Sequence, residues 1–369
     1  MTNGLTRRGA LAGALGAALA PALTAALASP ARAATPGAGA PAAEEAVAGR
    51  TVPARFLPVP DTVSAALRPV IAAPPTPGWD QVPTDAVGWR DLQRRTGAGP
   101  HPVLRAIEER LGVTVKQSEI AGVPVFVSTP KTLPERNRNR VLMHLHGGGY
   151  VLFPGAIGAG EGMMMAGHGG FTVVSVDYRM APDFPFPAAL DDAMAVWTAL
   201  AAAHDRHRMA VFGTSAGGGL TLALMLRAKA AGLPLPAATG LGSPWADLAP
   251  RGDTLAANAF VDNVLVSIDG WVGAAAKLYA GTAALDDPLV SPIHGDFTGL
   301  PPAILTSGTR DLLLSDTVRT HRKLRQAGVE ASLQVFEALS HAQFLTPFMP
   351  ETEEAFAEIA GFFDRHLAM

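Results

Sequence analysis

The residues Gly213-Thr214-Ser215-Ala216-Gly217 constrain the fold of this chain more than any other stretch. They follow a short apolar run, Met209-Ala210-Val211-Phe212, and precede a stretch of helix-forming residues. The pattern Gly-x-Ser-x-Gly between a strand and a helix is typical of a nucleophile elbow, a sharp turn that side chains at the two glycines would obstruct. A glycine-rich turn can also serve packing alone, so the interpretation depends on partners elsewhere in the chain.

Three further segments supply the partners that a nucleophilic serine needs. The run His146-Gly147-Gly148-Gly149-Tyr150 follows the apolar stretch 141–145. A glycine run past the end of a strand exposes backbone amides, which can hold an oxyanion if they converge. Asp311 and His341 each lie on a loop after a predicted strand. Serine, aspartate and histidine in this order, each after a strand, is the order found in the α/β-hydrolases.

Together these motifs resemble those of the bacterial esterases that are similar to hormone-sensitive lipase. The resemblance runs from about residue 113 to the C terminus and rests on HGGGY, GTSAG, the segments 178–182 and 186–192, and the surroundings of Asp311 and His341. The GTSAG form is typical of one subgroup, whereas the commoner form has Asp where Thr214 stands. The C-terminal half is also similar, more loosely, to proteins described as ε-lactone hydrolases.

The pattern of apolar runs predicts an α/β fold. Residues 113–115 and 123–128 predict an antiparallel hairpin. Helical stretches then alternate with near-continuous apolar runs, which indicate parallel strands buried on both faces. The predicted strands are 141–145, 172–176, 209–212, 237–241, 303–306 and 332–336. The resemblance implies that residues 113–369 form a catalytic domain of the α/β-hydrolase fold, with a mostly parallel central sheet flanked by helices.

Two segments lie outside this alternation and are expected to form a helical cap. Residues 50–112 are punctuated by prolines and carry Trp79 and Trp89 among aliphatic residues. The N-terminal segment covers the catalytic face in the resembled family, although a plain flank on the side of the sheet is the alternative. Residues 253–284 carry aromatic and aliphatic residues that indicate two helices, which we expect to complete the cap.

The first 33 residues predict an export signal. Thr6-Arg7-Arg8-Gly9-Ala10-Leu11 resembles a twin-arginine motif, and Ala31-Arg32-Ala33 resembles a cleavage site after an alanine-rich stretch. We therefore expect a periplasmic or secreted protein; a membrane anchor and a wrongly assigned start codon are the alternatives. The stretch is broken by Pro21 and poorly apolar, so no stable membrane anchor is expected. Residues 34–49, mostly Ala, Pro and Gly, predict a flexible linker.

Composition narrows the classes of partner and cofactor. Beyond residue 33 the chain holds 26 basic and 32 acidic residues, a balance of −6 that disfavours nucleic acid and anionic membrane surfaces as partners. The absence of cysteine excludes disulfides, thiolate metal sites and a lipoprotein anchor. Because no His/Asp cluster has ligand spacing and no Gly-rich loop ends in Lys-Ser or Lys-Thr, we expect no metal, phosphate or other cofactor.

The chemistry of acyl transfer assigns a role to each member of the predicted triad. Ser215 is the nucleophile, His341 is the base that takes its proton, and Asp311 fixes the imidazole tautomer. Glu337 also follows a predicted strand closely and is the rival acid.

The resemblance assigns the glycine loop. It implies that the oxyanion is held by three backbone amides, those of Gly148, Gly149 and Ala216. We expect Gly147 to permit the turn and His146 to brace the loop by hydrogen bonds rather than to react.

The sequence therefore predicts a serine carboxylic-ester hydrolase that acts on short- to medium-chain esters through an acyl-enzyme. A lactonase or an amidase with the same triad is the alternative, because the acyl-enzyme does not specify the leaving group. A non-catalytic ligand-binding protein on this fold is a remoter one. The expected partner is a small-molecule ester or lactone.

Overall fold

The computed structural model describes residues 49–97, 99 and 101–369, which fall in two compact units, 1–55 and 56–369. In the first unit, the described residues 49–55 contain no helix or strand. The predicted export signal and residues 34–48 of the predicted linker lie outside the described residues.

Eight strands of the second unit form one sheet. They are β1 (Val113–Ile120), β2 (Val123–Pro130), β3 (Val141–Leu145), β4 (Thr172–Val176), β5 (Met209–Thr214), β6 (Ala238–Gly242), β7 (Ala303–Gly308) and β8 (Ala331–Phe336). Their order is β1-β2-β4-β3-β5-β6-β7-β8. The pairs β1/β2 and β2/β4 are antiparallel, and the remaining pairs are parallel. The prediction of a mostly parallel sheet is confirmed.

Helices cover both faces of the sheet. Those of the described residues are α1 (Arg68–Ile71), α2 (Ala86–Gly97), α3 (Pro102–Leu111), α4 (Gly160–Gly169), α5 (Ala188–Ala203), α6 (Ala216–Ala230), α7 (Thr254–Ala257), α8 (Trp271–Ala280), α9 (Leu314–Gln326) and α10 (Pro350–His366). On one face α3, α4 and α10 share a core with Leu142 of β3. On the other face α5, α6 and α9 share a core with Met143. Neighbouring residues of a strand point to opposite faces, so both must be apolar here.

The parallel strands determine where the functional loops meet. Strands β3, β5, β7 and β8 all run in the same direction. Their carboxyl ends therefore lie at one edge of the sheet, the edge at which open α/β sheets bind ligands. The loops that begin at residues 146, 215, 309 and 337 leave the strands there.

Strand β8 departs from the expected burial on both faces. Leu333 and Val335 are 37% and 41% exposed, whereas Gln334 between them is buried. The reason is position, because β8 is the last strand of the sheet and pairs only with β7. Gln334 Nε2 donates hydrogen bonds in the interior to the Thr306 hydroxyl and the Ala355 carbonyl, whereas its buried Oε1 has no hydrogen-bond partner among the described residues.

The segment 253–284 does not form two full helices. It contains the four-residue α7 and the ten-residue α8, with a loop over residues 258–270. Phe260 and Val266 have φ angles of 61° and 63°, in the left-handed region that interrupts a helix.

The segment 50–112 divides into parts with different positions. Helix α3 packs against α4 on one face of the sheet, where Ile107 joins the core. Residues between Thr76 and Thr96 instead line a cavity at the carboxyl edge of the sheet. No helix of the described part of the chain has the length and apolarity that crossing a bilayer requires.

Candidate active site

Ser215 occupies a strained turn between β5 and α6. Its φ and ψ angles are 61° and −123°. The turn is fixed by the Ser215 amide, which donates to the Gly242 carbonyl (2.8 Å), and by the Trp245 amide, which donates to the Ser215 carbonyl (2.9 Å). A Cβ atom on Gly213 or Gly217 would collide with the Leu145 carbonyl oxygen. The two glycines are therefore required by the close approach of β3, and the turn has the features of a nucleophile elbow.

His341 and Asp311 form a buried pair. His341 Nδ1 and Asp311 Oδ1 are hydrogen-bonded at 2.9 Å, and the Asp311 carboxylate is fully buried. The same oxygen accepts the Leu313 amide (2.8 Å), and Oδ2 accepts the Ser307 hydroxyl (2.7 Å). These bonds leave His341 Nε2 as the free ring nitrogen. The arrangement can hold one tautomer of the imidazole and stabilise its protonated form.

The two members of the pair shift each other's pKa in the expected directions. Burial opposes ionisation of Asp311, but the charge of His341 and the hydrogen bonds from His341 and Ser307 outweigh it and hold the pKa of Asp311 below its ordinary value. Burial lowers the pKa of His341. The charge of Asp311, the hydrogen bond with Asp311 and the charge of Asp262 raise it and outweigh burial, so the pKa of His341 lies above its ordinary value.

Ser215 and His341 both line one cavity of about 730 Å³. No hydrogen bond joins their side chains in the described structure, a bond that in unliganded enzymes often tightens only when substrate binds. The volume lies within the range of small-molecule sites. Its walls are mainly apolar and come from several segments of the chain. They include Trp79 and Leu92 of the N-terminal segment 50–112, Val264 and Trp271 of the segment 253–284 (the insertion), and Leu152 and Phe153 after the glycine loop.

The glycine loop lies against the elbow. A Cβ atom on Gly147 would come within 2.9 Å of the Thr214 carbonyl oxygen and 3.3 Å of Ser215 Cβ. Gly148 and Gly149 have φ angles of 105° and 63°, which favour glycine. In the described residues, the candidate oxyanion amides, those of Gly148, Gly149 and Ala216, donate no hydrogen bond, so each is free to donate to an acceptor in the cavity.

His146 supports this loop from beneath. Its Nδ1 is hydrogen-bonded to the Gly147 carbonyl (2.7 Å), and its ring stacks on Tyr178 with centroids 4.1 Å apart. The Tyr178 hydroxyl donates to the His146 carbonyl at 2.6 Å. Burial lowers the pKa of His146 to about 4, so the ring is neutral at pH 7. His146 is therefore neutral and held by its stacking on Tyr178 and its hydrogen bond to Gly147, which suits it to supporting the loop.

The rival acid lies elsewhere. Glu337 is exposed and makes no hydrogen bond or ion pair with His341. Asp311 is therefore the carboxylate that the structure brings to the histidine. Within residues 49–369, as far as they are described, no group of three His, Asp or Glu side chains could hold a metal ion.

Sequence reasoning missed two acidic residues next to the site. Glu161 on α4 lines the cavity, accepts the Thr214 hydroxyl (2.7 Å) and is hydrogen-bonded with His144 Nε2 (3.1 Å). An acid on the otherwise uncharged helix Gly160–Gly169 was the signal available for it. Asp262 lies in the loop 258–270, contacts both triad loops and had no motif to mark it.

Comparison with known proteins places these observations in a family. Residues 142–345 match the family described as alpha/beta hydrolase fold. An acetyl-hydrolase of Streptomyces hygroscopicus is 33% identical over 234 residues, which cover 63% of this chain and 77% of that relative.

Two crystal structures of esterases are also similar. The structure of an esterase E25 has a TM-score of 0.84 and 38% identity, over 87% of this chain and 99% of that chain. That of an esterase from the bacterial hormone-sensitive lipase (HSL) family has a TM-score of 0.65 and 30% identity, over 79% of this chain and 99% of that chain.

Proposed function

The chain belongs to the α/β-hydrolase family, as an esterase of the kind similar to hormone-sensitive lipase, and on this premise we propose that it hydrolyses carboxylic esters with Ser215 as the nucleophile. One observation carries the proposal. The strained elbow presents Ser215 to the same cavity as the buried His341–Asp311 pair. The relatives are enzymes, which favours catalysis over the binding of ligand alone.

The residues perform the reaction in two halves. His341 Nε2 takes the hydroxyl proton of Ser215 while Oγ attacks the ester carbonyl carbon, and the amides of Gly148, Gly149 and Ala216 hold the negative oxygen. The tetrahedral intermediate collapses to an acyl-serine, and the leaving alcohol takes the proton from His341. Water then repeats the sequence, with His341 as its base, and releases the acid and free Ser215.

The protein is further proposed to prefer short- to medium-chain acyl groups. The cavity of about 730 Å³ must hold both the acyl and the alcohol part of a substrate, and its walls carry bulky side chains such as Trp79 and Trp271. Each methylene that fits contributes about 0.8 kcal/mol of binding. Relatives named as acetyl-hydrolase and esterase support this range and favour esters over lactones.

The proposal is tested by labelling and by substrate choice. A p-nitrophenyl phosphonate should inactivate the enzyme and leave its phosphonyl group on the peptide that contains Ser215. The Ser215→Ala variant, folded by circular dichroism, should take no label and lose nearly all turnover of p-nitrophenyl butanoate. Labelling at another residue, or an active Ser215→Ala variant, refutes the assignment. Parallel assays with lactones and anilides should give lower kcat/KM than the ester.

A further inference from the structure

The loop that follows α7 is fastened to both of the loops that carry the His341–Asp311 pair. Asp262 is fully buried at the centre of this contact. Its Oδ2 accepts the Leu312 amide (2.7 Å) and the His341 amide (3.1 Å). Its Oδ1 accepts the amides of Val264 (2.7 Å) and Leu265 (3.0 Å) in its own loop. One carboxylate thus joins three separate segments of the chain.

Two asparagines in the same loop extend the connection. Asn258 Nδ2 donates to the Asp311 carbonyl (2.8 Å) and to the Thr309 carbonyl (3.2 Å). The backbone amide of Asn263 donates to Ser340 Oγ (3.1 Å), and Asn263 Oδ1 accepts a hydrogen bond from Gln343 Nε2 (2.8 Å). The loop 258–270 therefore holds both the loop that carries Asp311 and the loop that carries His341.

A buried carboxylate in this position is costly unless something compensates for it. In the described structure, no lysine or arginine forms an ion pair with Asp262, so its four backbone donors must satisfy the charge. A buried charge that loses its donors is strongly destabilising, which makes the three segments interdependent. Burial raises the pKa of Asp262 above its ordinary value; the charge of His341 and the amides of Leu312 and Val264 oppose this rise, whereas the charge of Asp311 adds to it.

We propose that Asp262, with Asn258 and Asn263 beside it, is a positioning residue that fixes the loops of Asp311 and His341 in the register that catalysis requires. The proposal rests on the function proposed above, since it concerns the base of that reaction. The insertion then does more than form a wall of the cavity. It also places a second negative charge near His341, which stabilises the imidazolium formed when Ser215 attacks.

The Asp262→Asn variant tests this. The substitution keeps the shape but removes the charge and half of the acceptor capacity. We expect kcat for p-nitrophenyl butanoate to fall about 10- to 100-fold with KM little changed, by analogy with the loss that follows removal of the outer-shell partner of a metal-binding side chain. Because the imidazolium loses a stabilising charge, the pKa of His341 falls, and the acidic limb of kcat/KM should move to lower pH.

Asp316→Asn is the matched control. Asp316 is also buried, and its Oδ2 accepts two backbone amides, those of Ala246 (3.1 Å) and Asp247 (3.0 Å). Unlike Asp262 it also has an arginine nearby, Arg319 at 3.7 Å from Oδ1, and it forms no bond with His341 or Asp311. Burial raises the pKa of Asp316 to about 8, so asparagine changes little charge near neutral pH. This variant should keep the wild-type kcat and the wild-type acidic limb.

Each outcome decides for or against the positioning role. A folded Asp262→Asn enzyme with wild-type kcat and an unmoved acidic limb overturns it, as does an equal effect in Asp316→Asn. If Asp262→Asn does not fold, the Asn258→Ala variant, at a half-buried position, takes its place. Its kcat should be several-fold lower, with KM and the acidic limb of the pH profile unchanged. A wild-type kcat in Asn258→Ala overturns the positioning role. Phosphonate labelling separates the two proposals, because failure of the positioning role leaves Ser215 as the labelled residue.

Discussion

Asp311 is fully engaged before any substrate arrives. His341 and the Leu313 amide bind one carboxylate oxygen, and Ser307 binds the other. The carboxylate therefore cannot rotate without breaking several bonds in a buried place, where each unsatisfied group is costly. The imidazole ring receives its orientation from this fixed acceptor.

Replacing that acceptor should impair catalysis without unfolding the protein. In Asp311→Asn the amide can no longer accept the Nδ1 proton in the same way, so the imidazole adopts the wrong tautomer. We expect the turnover of p-nitrophenyl butanoate to fall by a factor on the order of 10⁴. Glu337→Gln is the control and should keep wild-type turnover, because Glu337 is exposed. The reverse result would assign the acid to Glu337.

The raised pKa of His341 predicts the pH dependence of activity. Only the neutral ring can take the Ser215 proton, so kcat/KM must fall as the pH drops through the pKa of His341 in the free enzyme. The charges of Asp311 and Asp262 raise that pKa against the effect of burial. The acidic limb should therefore have its midpoint above about 6.5, the ordinary value for histidine. His146, with its pKa lowered to about 4, should add no inflection above pH 5. A midpoint below the ordinary value contradicts the assignment of the base.

At the scale of elements, the elbow depends on how closely β3 approaches the first turn of α6. Gly217→Ala should gain up to about 1 kcal/mol of helix propensity. It should lose more, because the new Cβ meets the Leu145 carbonyl oxygen, and overpacking costs about 1–3 kcal/mol. We expect a lower Tm and reduced kcat.

Gly361→Ala in α10 is the matched control for that substitution. A Cβ atom there meets only the end of the flexible Arg365 side chain, at 3.8 Å. The helix gain should dominate, so Tm should stay or rise while kcat is unchanged. If Gly217→Ala behaves like Gly361→Ala, the steric argument for the elbow is wrong.

Sequence reasoning predicted the sheet well because its signals are local. Strands β3 and β4 begin and end where the apolar runs 141–145 and 172–176 do, since both faces of each strand are covered. The segment 258–270 was predicted poorly, because Phe260 and Val266 adopt left-handed angles that interrupt a helix and that their residue types do not signal. Asp262 could not be recognised at all, because two of its partners are backbone amides 50 and 79 residues away.

At the scale of the whole molecule, the cavity predicts a dependence on acyl length. From acetyl towards butanoyl or hexanoyl esters, each methylene that fits should raise kcat/KM about fourfold, which is 0.8 kcal/mol. By dodecanoyl, kcat/KM should fall steeply, because a cavity of about 730 Å³ lined by bulky side chains limits the acyl chain that fits beside the alcohol part. The measurement is kcat/KM over a series of p-nitrophenyl esters. Faster hydrolysis of long-chain triglyceride emulsions than of soluble short esters would contradict this preference.

Two of the segments that line the cavity, α2 and the loop 258–270, are attached in different ways. Gln93 of helix α2 donates to the Val151 carbonyl, just after the glycine loop, and to the Ala181 carbonyl in the loop after β4. In the described residues no hydrogen bond of α2 reaches Asp311 or His341. The loop 258–270 is tied to the backbone on both sides of them. Sequence drift or directed evolution can therefore change α2 to admit new substrates with little loss of kcat. The loop 258–270 can change only together with the catalytic loops, so the breadth of substrates open to descendants of this enzyme depends mainly on α2.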